Sequence, residues 1–433
     1  MKSLWINCAE KPKFDKLTRD IKTDVLIVGG GITGVLCAYM LRKANVDCVL
    51  VEADEIGKGV TQNTTAKITF QHGLIYDKLI RRYGLEKARL YYEANKKALD
   101  NYREISKTVE CDFEEKDSFV YATEDNVKIK KEFEAYKRIG IESEYCESLP
   151  LPLTVTGAVK IGNQVQFNPM KFIYTISKEL NIFENTKVIN IEPHKALTNN
   201  GLITANKIII ATHFPIINKH GLYFMKLYQH RSYVLALENA AEINGMYVDE
   251  NNKGMSFRNY GDLLLLGGGG HRTGKKGGNW QELREFAKLH FPKAKEKFFW
   301  ATQDCISLDG VPYIGLYSKN TPDLYVATGF NKWGMTSAMV AAEILKDMIT
   351  DKKNPYADIF DPSRSILQPE LCLNVFETAF NLLTPTVPRC PHLGCALKYN
   401  KAEHSWDCPC HGSRFKENGK LIDNPATDDV DLK

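Results

Sequence analysis

Residues 24–52 read DVLIVGGGITGVLCAYMLRKANVDCVLVE, and their reading decides the fold. Residues 25–28 form a continuous apolar run, as a strand covered on both faces of a parallel sheet requires. Gly29, Gly31 and Gly34 follow as G-x-G-x-x-G. The first glycine permits the tight turn, the second admits a pyrophosphate against the backbone, and the third lets helix pack closely on strand. The helix that follows aims its free N–H groups at the phosphates. Residues 48–51 make the next strand, and Glu52 closes it about 20 residues beyond the glycines, where a carboxylate meets a ribose hydroxyl pair. A glycine turn alone has purely conformational uses. The complete strand, turn, helix and strand instead predict a dinucleotide site. Acidic Glu52 disfavours a 2′-phosphate and leaves both FAD and NAD open.

Around this unit, 433 residues exceed what one growing core accommodates, so two or three domains are expected. The 57 basic and 53 acidic side chains nearly cancel to +4, which implies neither a nucleic-acid nor a membrane surface. The longest apolar runs are far too short for a spanning helix, and the first residues lack an apolar signal core. A cytoplasmic protein is expected. Seven of the eleven cysteines are scattered through the first 372 positions as candidate buried thiols, and four are packed between 390 and 410.

Upstream, residues 1–23 are polar with Trp5 as the one large anchor, a surface wrap without an assigned role. Downstream, residues 55–69, EIGKGVTQNTTAKIT, place Thr61, Asn63, Thr64 and Thr65 in a loop that suits either a solvated connection or a cover over a cofactor. Helical spacing predicts an amphipathic helix over 85–109, then a strand SFVYAT and a helix over 126–138. Asn168-Pro169 marks another helix start. The run 207–212 reads as a buried strand ending in Thr212, where the carboxyl edge of a sheet meets a ligand. RSYVLALE from Arg231 and DLLLLGGGGHRTG predict antiparallel strands, with His271 after the glycines as a structural or catalytic residue. A turn at Asp309-Gly310 leads to DLYVATGFNKWGMTSAMVAAEIL, a second strand, glycine turn and helix around Gly329 and Gly334.

Together, DVLIVGGGITG with Glu52, TQNTTAK, IIIATH, LDGVPYIG and ATGF…GMT resemble, in that order, the flavin-dependent amine oxidoreductases of the D-amino-acid-oxidase and glycine-oxidase-like class, over residues 3–351. The resemblance implies FAD as the cofactor. It places Gly29, Gly31, Thr33, Gly34 and Glu52 on the adenosine-pyrophosphate half, Val188 near the adenine, and the TQNTTAK loop and Gly329, Gly334, Met335 and Thr336 beside the isoalloxazine ring. The helix start at 334–336 would stabilise negative charge arising there on reduction. Arg231, Tyr233 and His271 become the candidates to meet substrate. Cys305 lies near the region where a covalent flavin link would form.

The tail from residue 388 reads PRCPHLGCALKYNKAEHSWDCPCHGSRF. Cys390-x-His392 and Cys408-x-x-His411 are two pairs separated by 15 residues, 393 to 407. Two thiolates and two imidazoles suit zinc, yet each pair offers one sulfur and one nitrogen, the donor set of a Rieske [2Fe–2S] cluster. CPHLGC and CPCHGS closely resemble Rieske domains. By that resemblance Cys395 and Cys410 are the non-ligand pair that one branch of the family joins in a disulfide, and Ser413 is a donor to a bridging sulfide. Phe415 stands where high-potential relatives have a tyrosine, so a lower potential within the Rieske range is expected.

The expected fold is thus α/β with an α+β substrate domain: a two-domain FAD/NAD(P)-binding Rossmann-like flavoprotein with a small, shortened, all-β C-terminal Rieske domain. Residues 1–84, 150–225 and 300–365 are assigned to FAD binding, 85–149 and 226–299 to the substrate domain, and 366–433 to the Rieske domain. The expected activity is a dehydrogenase that oxidises a C–N bond of an amine or amino acid and passes electrons through the cluster to an external acceptor. The alternative is an electron-transfer or redox-sensing module without an amine substrate of its own.

Overall fold

The computed structural model describes residues 2–432 apart from 219, 252, 253, 278, 386 and 387. The strand Ile21–Val28 lies inside an eight-stranded sheet, parallel to Cys48–Val51 on one side and to Gly201–Ile210 on the other. Flanked on both edges and covered on both faces, its residues 25–28 are all buried, which explains their unbroken apolar character. Leu324–Thr328 continues the parallel order, and Ile32–Lys43 and Gly334–Ile349 are the helices that follow the two glycine turns.

A nine-stranded, mostly antiparallel sheet forms the second layer. It runs in the order Lys295–Ser307, Leu227–Glu238, Leu263–Arg272, Ser256–Tyr260, Met246–Asp249, Glu114–Ala122, Gly157–Gln166 and Lys67–Ile68, with Glu144–Cys146 alongside. Three pieces expected in the FAD-binding part belong here instead: Lys67–Ile68, Gly157–Gln166 and the end of Lys295–Ser307 beyond residue 300. Gly157–Gln166 pairs along the length of Glu114–Ala122, and that ladder holds it in the second sheet. The helix expected over 85–109 begins earlier, as Tyr76–Ser106, and bends at Gly84, whose φ of 84° is accessible to glycine without steric cost. Asn168 caps Pro169–Ser177 through bonds from the Met170 and Lys171 N–H groups, as the Asn-Pro pair predicts.

The C-terminal region departs from an all-β domain. It opens with the helix Pro369–Leu383 and only then forms a four-stranded sheet in sequential order, Lys398–Asn400, Ser405–Asp407, Arg414–Lys416 and Leu421–Asp423. Its own core is small, built on Cys390, Cys395, Leu397, Cys408, Cys410, Phe415, Ala426 and Val430. A core of this size needs outside support, and one face of the second sheet supplies it. Among the described residues, no helix is long and apolar enough to cross a membrane.

Candidate flavin and iron–sulfur sites

The first glycine turn tolerates no side chain. A Cβ at Gly29, where φ is +110°, would stand 2.6 Å from the Ala211 carbonyl oxygen, and one at Gly34 would stand 1.9 Å from the Gly29 carbonyl oxygen. Gly31 caps the helix Ile32–Lys43, with Thr33 buried in its first turn. Glu52 folds back over the turn, accepting from the Gly30 N–H at 2.6 Å and the Asp54 N–H at 2.9 Å. Burial raises its carboxyl above the ordinary range, partly offset by those two N–H groups. Val188 is buried with Val49 and Val51 in the core on one face of this sheet.

Several expected cofactor residues use their side chains to build the loops. Thr61 Oγ1 accepts from the Ile32 N–H at 3.0 Å, tying the 60–63 turn to the helix start, and Thr64 Oγ1 accepts from the Ala66 N–H at 3.0 Å. The Thr65 carbonyl takes a bond from Arg258 at 2.7 Å, and that of Asn63 one from Trp300 Nε1 at 2.9 Å. Trp5, read from sequence only as a surface anchor, is fully buried and donates to the Thr64 carbonyl at 2.7 Å. Thr336 donates to the Thr69 carbonyl at 2.9 Å and contacts His72 Nε2 at 3.0 Å, while the Met335 carbonyl accepts from Tyr102 at 2.9 Å. His72 stacks on Trp333, the N-cap of Gly334–Ile349. These contacts leave the backbone of the 334–336 helix start, more than the Thr336 hydroxyl, as the group a flavin could use. Gly329 holds a φ of +73° just before that helix. The Cys305 thiol is buried against Thr328, pushed up to about 12 by burial, and so is a poor nucleophile for a covalent link.

Arg231, Tyr233 and His271 do come together, but with protein partners. Both oxygens of Glu403, from the C-terminal domain, engage the Arg231 guanidinium. Tyr233 OH donates to Glu403 Oε1 at 3.1 Å and lies 3.0 Å from His271 Nε2, whose Nδ1 meets the Arg272 carbonyl at 2.9 Å. The expected contact with substrate therefore does not follow from their positions; they form a seam between domains. The reason is strand alternation: residues 229, 231 and 233 share one face, and the C-terminal domain covers it.

The opposite face carries residues that sequence reasoning missed. His230 lies across from Asp304, and Ser232 from Thr302. Burial raises the Asp304 carboxyl to about 6, against the charges of Lys332 and Arg231, and lowers His230. Lys332 sits in the turn before Gly334, with φ of 72°. The available signal was the alternation of 230 against 231, together with the lysine inside GFNKWGMT.

In the C-terminal domain, Cys395 and Cys410 are joined in a disulfide, leaving Cys390 and Cys408 as buried free thiols. The rings of His392 and His411 lie 5.0 Å apart. His392 Nε2 is bonded to Asn218 Oδ1 at 2.9 Å, while its Nδ1 and both nitrogens of His411 are buried without partners. Burial lowers the rings to about 4 and about 3, which keeps them neutral. Unpartnered buried nitrogens call for a ligand, and two thiols with two neutral imidazoles fit a [2Fe–2S] cluster of Rieske type. The Cys390 thiol is held down, first by a bond from Cys408 and, against burial, by the His392 N–H and the Ser413 hydroxyl. Phe415 is fully buried in this core, and Phe415→Tyr is expected to raise the cluster midpoint potential by tens of millivolts. Protein-film voltammetry checks this, and an unchanged potential would refute it.

This arrangement is that of a two-centre redox protein, a dinucleotide-binding flavoprotein with an iron–sulfur domain seated on its second sheet. The chain belongs to the FAD dependent oxidoreductase (DAO) family, which matches residues 24–348, and it carries a Rieske [2Fe-2S] domain matching residues 373–432. Its cofactors are FAD and a [2Fe–2S] cluster. It is 36% identical to the Rieske 2Fe-2S iron-sulfur protein YhfW of Bacillus subtilis (strain 168), over 98% of this chain and 95% of that one. Its fold is similar to glycine oxidase from Geobacillus kaustophilus, with a TM-score of 0.66 at 18% identity over 80% of this chain and 99% of that one. It is also similar to L-proline dehydrogenase from P. horikoshii, with a TM-score of 0.67 at 18% identity over 81% and 98%.

Proposed function

We propose that this FAD-dependent oxidoreductase is a dehydrogenase that oxidises a C–N bond of an amine or amino acid, and that the electrons leave through the Rieske domain to an external acceptor. When bound, FAD accepts a hydride from carbon and releases electrons singly, and the [2Fe–2S] cluster carries one electron at a time. The observation that carries this reading is the strand pair Leu227–Glu238 and Lys295–Ser307. On one face, Trp300 Nε1 donates to the Asn63 carbonyl of the 60–63 turn at 2.9 Å. On the other, Gln229 donates to the His411 and Asn424 carbonyls at 3.0 and 2.7 Å, and Gln303 donates to the Gly412 carbonyl at 2.9 Å and to Gln229 Oε1 at 2.7 Å. Successive side chains of a strand point to opposite faces, so a single sheet separates the flavin loops from the cluster loop. The amine class is supported by the names of the similar folds, glycine oxidase and L-proline dehydrogenase.

The test is anaerobic titration with a panel of amines and amino acids. One class should bleach the flavin bands and then produce the signal of a reduced cluster. Bleaching that never reaches the cluster would sink the electron path, and no bleaching by any amine would favour a redox module without such a substrate. Gln229→Leu leaves the His411 and Asn424 carbonyls without this donor, at a cost of about 1–3 kcal/mol. Stopped-flow spectroscopy should show slower cluster reduction in this variant with unchanged flavin bleaching.

A further inference from the structure

The two histidines of the cluster site stand in unlike surroundings. The His411 ring is 1% exposed and wedged between flavoprotein side chains, with ring centres 6.4 Å from Phe214 and 6.3 Å from Phe224. Its carbonyl accepts from Gln229 at 3.0 Å, so both its ring and its backbone rest on the flavoprotein. His392 also meets Phe214, with ring centres 6.3 Å apart, but it is only half-buried. Its Nε2 lies 2.9 Å from Asn218 Oδ1, and Asn218, Pro391 and Leu393 are all exposed. One imidazole faces inward and the other borders solvent.

A short piece of chain ties the inward side to the dinucleotide turn. A Cβ at Gly29 would stand 2.6 Å from the Ala211 carbonyl oxygen and 3.2 Å from the Thr212 nitrogen, so residues 211 and 212 press on that turn. Phe214, fully buried against the histidines, follows two residues later. The steps from Ala211 to Phe214 span at most about 11 Å. Asn424 of the C-terminal domain fixes this span, donating to the Thr212 and Phe214 carbonyls at 2.6 and 2.9 Å.

We propose that the cluster has two separate electron ports: His411, clamped by Phe214 and Phe224, is the entry edge facing the flavoprotein, and His392 beside Asn218 is the exit edge that the external acceptor approaches. This division rests on the electron path proposed above and assigns its two ends. Electron transfer weakens steeply with distance, so the edge packed on the flavoprotein favours delivery and the edge beside solvent favours removal. A flavin holding two electrons gives them up singly. Each one reduces the cluster and then one acceptor, and the protons of the reduced flavin go to water. Both ports are open while the domain stays seated.

The test needs no amine. In the FAD- and cluster-loaded protein, a light flash with EDTA as electron donor reduces the flavin, and absorbance then follows reduction of the cluster. Separately, ferricyanide, an anion that takes one electron, reoxidises the reduced cluster. Asn218→Lys and Asn218→Glu both remove the bond to His392, so the pair differs only in the sign of the new charge. Ferricyanide should oxidise the Lys variant about tenfold faster than the Glu variant at low salt, a gap that closes as salt rises. Cluster reduction after the flash should be equal in the two. Lys131→Glu is an exposed change on the helix Val127–Ile139, which packs on Glu114–Ala122 and Gly157–Gln166, several strands from the seat of the C-terminal domain; it should leave the ferricyanide rate unchanged. Phe224→Leu, at the ring contact with His411, should slow cluster reduction severalfold and spare the ferricyanide step. Equal ferricyanide rates in the two Asn218 variants, a matching difference in their cluster reduction, or unchanged cluster reduction in Phe224→Leu would overturn the division. If Phe224→Leu fails to hold the cluster, the Asn218 pair alone decides. If the ports behave as expected and no amine bleaches the flavin, the proposed reaction fails and the ports stand. If amines drive electrons into the cluster and the Asn218 pair gives equal rates, the reaction stands and the ports fail.

Discussion

Glu403→Ala is expected to release the C-terminal domain from the flavoprotein, costing about 3–5 kcal/mol as two buried guanidiniums lose a shared carboxylate. The Glu403 side chain is fully buried between Arg231 and Arg414, and it also accepts from Tyr233. Arg231 has no other carboxylate within ion-pair distance among the described residues, so its loss of Glu403 is uncompensated. Arg414 keeps Asp407 and Asp423. Faster limited proteolysis near residues 361–368 and a lower denaturant midpoint would report the release, and wild-type values for both would refute it. The same ion pairs set a pH dependence. Burial alone would raise the Glu403 carboxyl, but Arg231 and Arg414 outweigh it and hold it below its ordinary value. A depressed folded value means that the contribution is complete above the unfolded glutamate value of about 4.3 and is lost as pH falls through the folded one. Undocking should therefore appear only in acid, below about pH 4.

Cys408→Ala is expected to abolish the cluster while leaving FAD in place. Iron and acid-labile sulfide should fall to background, the broad visible absorption of the cluster should vanish, and the flavin bands should remain. The expectation follows from the disulfide, which commits Cys395 and Cys410 to each other and leaves Cys390 and Cys408 as the only free thiols of the C-terminal sheet region among the described residues. Retained iron would mean that the ligand set is wrong. Under the proposed function, amino acids should still bleach the flavin of this variant, but one-electron acceptors should no longer reoxidise it quickly.

The parts of the fold that were legible in sequence are those governed by local geometry. Gly29 and Gly34 are required by close backbone approach, residues 25–28 by burial on two faces, and Asn168-Pro169 by helix capping; each leaves its mark in adjacent residues. The Rieske domain was legible because both thiol–imidazole pairs are compact in the chain. What was not legible depends on which face of a sheet is covered. Arg231 and His230 are neighbours in sequence, and only the docking of the C-terminal domain decides that Arg231 meets Glu403 while His230 stays on the other face, across from Asp304. Gly157–Gln166 illustrates the same limit, since the sheet it joins is set by a partner strand roughly forty positions earlier.

The seat of the C-terminal domain has a consequence for how the chain folds. Gln229, Arg231 and Gln303 stand beneath the cluster loop where an independent domain would carry strands of its own, and Arg272 adds bonds to the Pro409 and Cys410 carbonyls at 3.1 and 2.8 Å. The two cofactor regions are then expected to unfold as halves of one cooperative unit, with residues 366–433 unable to hold the cluster alone. Cluster insertion is therefore expected to follow completion of the sheet on which its loops rest.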